Sequence, residues 1–336
     1  MWGRIRRDCG SSAVWLRVGV RLPRLQSFPY SYHYMIESKT TIALPGRVTS
    51  VRLQATSLTA GFTDGSIRTY DLHSQTWTST IEAHEEGVND LLWDHFGEYL
   101  FSAGDDGTIK IWDREGKLMH NLLAHTNFVQ KLAIDPLNLL LLSGGADNSA
   151  VLWDIRGLID VEIFKNIHSE AITSLDFSHD STVFLTASFD GKVHLWDVVS
   201  LNSINTISYS HVVPIVGARF SQNSKYIYTS CLNHHIYMWD TFDLKAKVLR
   251  RFSGHCNERY RTPLATIHQN QSELLLCGSE DGSIRLWDVN AEKASWKVEL
   301  APGIAVAADA KGDYIAVAGF APQEEAWWLQ LLKVNW

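Results

Sequence analysis

Five histidines recur along the chain: His84, His125, His168, His211 and His255. A small polar residue follows each one (Ser102, Ser143, Thr186, Thr229 and Cys277), and then an Asp or Asn (Asp106, Asp147, Asp190, Asn233 and Asp281). Histidine, hydroxyl and carboxylate are the types that carry nucleophilic acyl transfer, general acid–base catalysis or metal ligation. The spacing argues against all three. The separation from each histidine to the tryptophan that ends its set is 28 residues in the first four cases and 32 in the fifth. Groups repeated at one position of successive units are distributed one per unit and cannot converge on a single ion or substrate. The remaining role is to satisfy buried polar groups, at about 0.5–1.5 kcal/mol net per hydrogen bond. GxSxG, HExxH, GxxxxGK[ST] and GxGxxG are absent, and Asp105-Asp106-Gly107-Thr108 lacks the ligand count of a calcium loop. We therefore expect no enzyme, no cofactor and no metal. His234-His235 adjoin the Asn233 turn and are expected to be exposed turn residues.

The elements that carry these residues repeat with a period near 42. Trp-Asp pairs stand at Trp112, Trp153, Trp196, Trp239 and Trp287, with spacings of 41, 43, 43 and 48. Tyr70-Asp71 lies 42 residues before the first pair, and Leu332 lies 45 after the last, which makes seven copies. Within a copy the apolar pattern is that of short strands: Ala171 to Phe177, Val183 to Ala187, Lys192 to Trp196 and Ser203 to Ile207, with Asp190-Gly191 as a hairpin turn. Four strands per copy, seven times, resembles the WD-repeat β-propeller. The expected fold is therefore all-β, a seven-bladed ring over about residues 36–336. The resemblance implies a hydrogen-bonded tetrad in each regular blade: His84, Ser102, Asp106 and Trp112; His125, Ser143, Asp147 and Trp153; His168, Thr186, Asp190 and Trp196. The last copy has room for three strands, and a spare strand at Lys39 to Leu44 is expected to complete it and remove a free edge. Trp327, Trp328 and Trp336, three of the 13 tryptophans, fall in that closing blade.

Residues 1–34 differ from the rest. They hold six arginines, no lysine and one acid, Asp8. Such a leader suits a disordered tail, an upstream extension ahead of a start at Met35, or an organellar transit peptide. The whole chain carries −7 with 45% hydrophobic residues. That composition supports a sizeable core and argues against direct nucleic-acid binding, which needs a basic face. No uncharged apolar run reaches 18 residues, so no membrane-spanning helix is expected. Cys9, Cys231, Cys256 and Cys277 form no CxxC pair and are read as free, mostly buried thiols in a reducing compartment.

Partner sites are sought at positions that recur but vary in type. One set lies five residues after each histidine (Asn89, Gln130, Thr173 and Val216). Another lies just before each turn acid (Thr63, Asp105, Ala146, Phe189, Leu232 and Glu280). Residues 211–290, with Phe220 to Ile227, Trp239-Asp240 and Gly254-His255-Cys256-Asn257-Glu258-Arg259-Tyr260, resemble the propeller subunit of COMPASS and MLL-type histone lysine methyltransferase complexes, as a divergent, fungal-like member. That resemblance implies a nuclear scaffold whose partners are the methyltransferase catalytic subunit, a second WD-repeat subunit and a histone tail. It implies a channel-mouth peptide site for an arginine side chain, at Asn89, Asp105, Gln130 and Tyr260, with Phe128 and Phe189 as nearby aromatics. The family's two aromatic clamp positions carry Gln130 and either Pro263 or Leu264 here, which removes about 1–2 kcal/mol of cation–π attraction per ring. It also implies a cleft between blades five and six, at Asn223, Tyr226, Arg250 and Asn290. Asp147, Trp153, Asp154 and Arg156 also fit the WDxR box of substrate receptors for cullin-RING ubiquitin ligases. A WD-repeat scaffold of another pathway, nuclear or cytoplasmic, is the remaining alternative.

Overall fold

The structure is a computed structural model that describes residues 35–336 except 210–211, 244–246, 270–271, 292–294, 302, 324–325 and 336. The basic leader expected at residues 1–34 and the expected tetrad histidine His211 lie outside the described residues, as does Trp336. Contacts divide the chain after His33, and the unit from Tyr34 onward is the ring.

The ring is seven four-stranded antiparallel sheets. The innermost strands of blades one to seven are Val48–Leu53, Val88–Trp93, Val129–Ile134, Ile172–Phe177, Ile215–Phe220, Leu264–Gln269 and Ile304–Lys311. Inner and middle strands are almost wholly buried, whereas the outermost strand of blade three, Ile159–Phe164, is mostly exposed. Alternation of apolar and polar residues thus weakens inward, where each strand is covered on both faces by neighbouring blades. Hydrophobic clusters bridge adjacent blades; in one of them Phe101, Ile109 and Ile111 of blade two meet Leu132, Leu141 and Trp153 of blade three.

The hairpin between the second and third strand of each of blades one to six has one residue in the left-handed region. Glycine supplies it at Gly65, Gly107, Gly191 and Gly282, each just after a turn Asp. Asn148 and His234 take the same conformation, with φ of 62° and 63°. Asn is among the few side chains that tolerate it, and His is several-fold enriched there. His234 is thus a turn residue, but it is half-buried, with Nδ1 accepting the Asn257 amide at 3.0 Å. The expectation of a freely exposed His pair is corrected accordingly.

Ring closure follows the inferred route with shifted limits. The closing strand runs Met35–Ile42, and it pairs antiparallel with Ala326–Asn335, with Thr40 opposite Leu331 and Ile42 opposite Leu329. It therefore starts and ends earlier than Lys39 to Leu44: pairing with the last strand stops at Ile42, and Leu44 packs against the blade one–seven core from beyond the strand. In the closing blade Trp328 packs over Gly319, where a Cβ would lie 2.1 Å from the indole.

Candidate functional site

The three regular tetrads are formed within single blades. In blade two His84 places Nδ1 2.8 Å from Asp106 and Nε2 2.8 Å from the Ser102 hydroxyl, which also accepts the Trp112 indole N–H at 2.9 Å. In blade three His125 stands 3.1 Å from Asp147 and 2.8 Å from Ser143, and Trp153 donates to Ser143 at 3.0 Å. In blade four His168 stands 3.0 Å from Asp190 and from Thr186, and Trp196 donates to Thr186 at 3.3 Å. The donors and acceptors balance when Trp donates to the hydroxyl, the hydroxyl to Nε2, and Nδ1–H to the carboxylate. Burial lowers the pKa of His84 despite Asp106. Burial acts to raise the Asp147 carboxyl, but bonds from His125, Ser149 and Thr126 outweigh it and hold the group far below the usual carboxylate range. Each tetrad sits in its own blade, so it locks a turn to its strands.

Blades five and six depart from this scheme. In blade five Thr229 accepts the Trp239 indole at 2.8 Å and contacts the Tyr209 hydroxyl, so a tyrosine meets the threonine where blades two to four use histidine. In blade six Cys277 replaces the hydroxyl, and both ring nitrogens of the buried His255 have no partner among the described residues. Burial, with His234, His235 and Arg285 nearby, lowers the His255 pKa to about 4. Burial raises the Cys231 and Cys277 thiols to about 12 and about 11, so both are inert at neutral pH.

A cavity of about 340 Å³ occupies the ring centre. Six of the seven innermost strands carry a register shift at one place, between Val48 and Ser50, Val88 and Asp90, Val129 and Lys131, Ile172 and Ser174, Ile215 and Gly217, and Ala305 and Ala307. The residues at these bulges, Thr49, Asn89, Gln130, Thr173, Val216 and Val306, all line the cavity. A bulge re-aims a side chain, and here it aims one per blade at the channel. Three of them tie their blade to the next: Thr49 donates to the Val88 carbonyl, Asn89 to Val129 at 3.0 Å and Thr173 to Ile215 at 2.8 Å.

Gln130 behaves differently. Its side-chain oxygen accepts from Arg261 Nη1 across the channel, and the Arg261 guanidinium lies 4.6 Å from the centroid of the Phe189 ring. Blade six has no bulge; its lengthened segment 256–263 stands in that place. The segment is pinned by Glu280, whose Oε1 accepts the amides of Glu258, Arg259 and Tyr260 at 2.8, 2.7 and 2.9 Å. Burial acts to raise the Glu280 carboxyl, but these amides and Arg259 outweigh it and hold it below its usual value.

The sequence-selected channel residues are distributed as follows. Asn89, Gln130 and Tyr260 line the cavity, and Asp105 adjoins it through an Asn89 Nδ2 bond of 2.7 Å. Phe128 is on the rim, 42% exposed. Arg261 and its approach to Phe189 escaped the sequence reading. The only signals were the four extra residues of blade six and a phenylalanine before the Asp190 turn.

On the seam between blades five and six, Asn223, Tyr226 and Arg250 are engaged within the ring. Asn223 accepts from Ser221 and from the Lys225 amide within its own turn. Arg250 donates to the carbonyls of Val289 and Ala291, on either side of Asn290, and stacks 4.5 Å over Phe252. Tyr226 packs with Val289 on the Tyr228–Phe252–Trp287 cluster. Glu273 of blade six spans the seam, accepting from the Gln222 amide and the Tyr228 hydroxyl at 3.1 Å each.

A third surface lies between blades two and three. A cavity of about 410 Å³ is lined by Phe96, Tyr99, Met119, Ile134, Arg156 and Leu158 among others. Phe96 is 79% exposed, and the Arg156 side chain is 70% exposed, with Nε 3.7 Å from Asp154. Among the described residues no group of three or more His, Cys, Asp or Glu is placed to hold a metal ion, and no helix is long and apolar enough to cross a membrane.

Comparison with known proteins agrees with the architecture. The WD domain, G-beta repeat family matches residues 75–113, 116–154, 163–197, 202–240 and 246–288. Relatives include the nuclear distribution protein PAC1-1 of Uncinocarpus reesii, 35% identical over 116 residues, which is 33% of this chain and 25% of that protein. The WD repeat-containing protein ATCSA-1 of Arabidopsis thaliana is 30% identical over 116 residues, 31% of this chain and 25% of the relative. The chromatin assembly factor 1 subunit FAS2 homolog of Oryza sativa subsp. japonica is 34% identical over 88 residues, 24% of this chain and 17% of the relative. The chain thus matches about a quarter or less of each relative's length, and the names are varied. With seven four-stranded blades, three complete tetrads and family matches over more than half its length, the chain belongs to the WD40-repeat family.

Proposed function

We propose that the protein is a non-catalytic protein–protein interaction scaffold, and specifically a core WD-repeat subunit of a COMPASS-like histone lysine methyltransferase complex that works in the nucleus. The observation that carries this reading is the seam between blades five and six, where Arg250 binds the carbonyls of Val289 and Ala291 on either side of Asn290, Tyr226 packs on the same cluster as Val289, and Asn223 lies three residues before Tyr226. They are the positions at which the resemblance implies docking of a second WD-repeat subunit. The methyltransferase subunit would meet the opposite face without inserting an arginine, because Arg261 already occupies the Phe189 ring at the channel mouth. Affinity purification of the full chain with mass spectrometry tests the assignment. Asn223→Ala with Arg250→Glu should release the second WD-repeat subunit, and retention of every partner would reject the cleft.

A second reading has its own support. Arg156 is exposed at the edge of the apolar cavity between blades two and three, as a WDxR-box receptor of a cullin-RING ubiquitin ligase would present it. Loss of a ligase adaptor on Arg156→Ala would favour that reading, and unchanged binding would reject it.

A further inference from the structure

The channel mouth holds a cation, Arg261, that pairs with no carboxylate among the described residues. Four cations line the central cavity: Arg52, Lys131, Arg219 and Arg261. Three carboxylates stand behind its wall. Asp90 pairs with Arg52 at 2.9 Å and with Lys131 at 3.6 Å, and Asp176 pairs with Arg219 at 3.2 Å. Asp309 accepts the Leu53 amide at 2.7 Å and acts on Arg52 and Arg219 through space. These acids also stitch blades together, since Asp90 accepts the Leu132 amide and Asp176 the Phe220 amide. They are therefore committed to the first three cations. Arg261 is left over. Its Nη1 bonds Gln130, its face covers Phe189, and among the described residues no carboxylate reaches it. A guanidinium has five N–H donors in a rigid fork. One hydrogen-bond partner leaves most of that fork without an acceptor among the described residues, beside the cavity that Arg261 lines.

The arrangement is built, not incidental. Glu280 fixes three consecutive amides of the segment that ends in Arg261, and Pro263 packs on Gly278, where a Cβ would lie 2.6 Å from its ring. Gln130, unlike Thr49, Asn89 and Thr173, gives up its place in the blade-to-blade series and reaches across the channel to hold this one side chain. We propose that Arg261 makes the channel mouth a reader of a single carboxylate, the side chain of an Asp or Glu in a peptide segment of a partner protein. The sign of the guest is then opposite to the arginine that the family resemblance implies, and the inference does not depend on which complex the protein joins.

The chemistry points to a monoanion carried by a peptide. One cation without a carboxylate partner of its own suits a guest of low negative charge. Asp105, which adjoins the cavity through Asn89, and Glu280 at the base of the segment would repel a dianion such as phosphate about twice as strongly as a monoanion. A carboxylate matches the planar fork in two parallel N–H···O bonds. Tyr260, 43% exposed, and Phe128, 42% exposed, flank the opening and offer apolar area to the residues on either side of the acid.

The test is selection of random twelve-residue peptides displayed on phage against the full chain, followed by fluorescence polarisation with the selected peptides. The expected result is enrichment of Asp or Glu at one fixed position. Binding should fall at least tenfold on Arg261→Ala, fall less on Arg261→Lys, and fall at least tenfold when the peptide acid becomes its amide. Melting temperatures of the Arg261 variants within about 3 °C of the parent would exclude loss of the fold. Acetate should compete better than inorganic phosphate at equal ionic strength. Selection of basic peptides, of no acidic ones, or of acidic ones that bind Arg261→Ala equally would overturn the proposal. Displacement by phosphate ahead of acetate would overturn the carboxylate assignment.

Discussion

Blade six contains a natural variant of the tetrad, and it allows one mechanism to be tested with both signs. In blade two the Ser102 hydroxyl is fully buried and serves two partners, the Trp112 indole at 2.9 Å and His84 Nε2 at 2.8 Å. Ser102→Ala removes both bonds and leaves an indole N–H and an imidazole nitrogen buried. Each orphaned group costs about 1–3 kcal/mol, so the expected loss is about 3–4 kcal/mol. For a ring of this size about 2 °C of melting temperature accompanies each kcal/mol, which predicts a fall of about 6–8 °C. Cys277 holds the equivalent place in blade six, ten residues before Trp287, and His255 beneath it lacks partners at both nitrogens. Cys277→Ser offers His255 a hydroxyl, worth about 1–3 kcal/mol of relieved desolvation, against about 1 kcal/mol of apolar burial lost with the sulfur. The net expectation is a rise of about 2 °C. Cys277→Ala is the control, because it loses the sulfur without supplying a partner, and it should melt below the parent. Differential scanning calorimetry at pH 7.5 reads all three. If Cys277→Ser melts with or below Cys277→Ala, or Ser102→Ala shifts the transition by less than about 2 °C, the tetrads do not stabilise the blades through these bonds.

Other expectations follow from the same geometry. Burial lowers His194 and His255 to about 4, so the folded state resists a proton that the unfolded chain takes near 6.5. Stability should therefore be intact above pH 6.5 and fall as pH drops toward 4, and the slope should flatten in His255→Gln; an unchanged slope in calorimetry would refute the assignment. Asp90→Ala strips a buried carboxylate from Arg52 and Lys131 and should cost about 3–5 kcal/mol in urea unfolding, with Asp90→Asn intermediate. Glu280→Gln should raise hydrogen exchange at the amides of Glu258, Arg259 and Tyr260 at least tenfold while leaving blade three unchanged. Removal of residues before Ala43 should expose the Ala326–Asn335 edge and convert a monodisperse ring to an aggregating one in size-exclusion chromatography, because an unpaired strand templates others.

The ring was legible because its signals are local and repeated. A Trp-Asp pair, a turn Asp and a histidine at constant spacing are satisfied inside one blade, so each copy states the same hydrogen-bonding problem and its answer. Even the closing strand could be inferred, since a blade with three strands demands a fourth. The limits of that strand were less legible, because Met35 to Lys39 pair through backbone with the last strand and backbone pairing leaves little mark on side-chain type. His234 was misjudged for a related reason: the left-handed turn position usually holds glycine, and a histidine there looks like a loop residue. The channel contacts were not legible. Gln130 and Arg261 are 131 residues apart and meet only because the ring closes. The blade five–six seam was legible as a set of positions, but the engagement of Arg250 with two carbonyls depends on a loop path that no spacing encodes.

Departures from the repeat fall mainly in one sector. Tyr209 meets the blade five threonine, Cys277 interrupts the blade six tetrad, and blade six lacks the bulge that six other blades share. In an array where each unit contacts mainly its neighbours, stability is close to a sum over units and interfaces. One blade can then lose a tetrad bond or two, at about 1–3 kcal/mol each, while the remaining blades and the closed ring keep the fold. Blade six also has a longer segment after His255, and that segment carries Arg261 to Gln130 and Phe189. Regular blades would place another small bulge residue there, and the channel would have no uncompensated charge. The weakened tetrad and the channel-mouth arginine lie in the same blade but rest on different residues, so restoring the hydroxyl at position 277 should stabilise the ring without altering what the channel mouth binds.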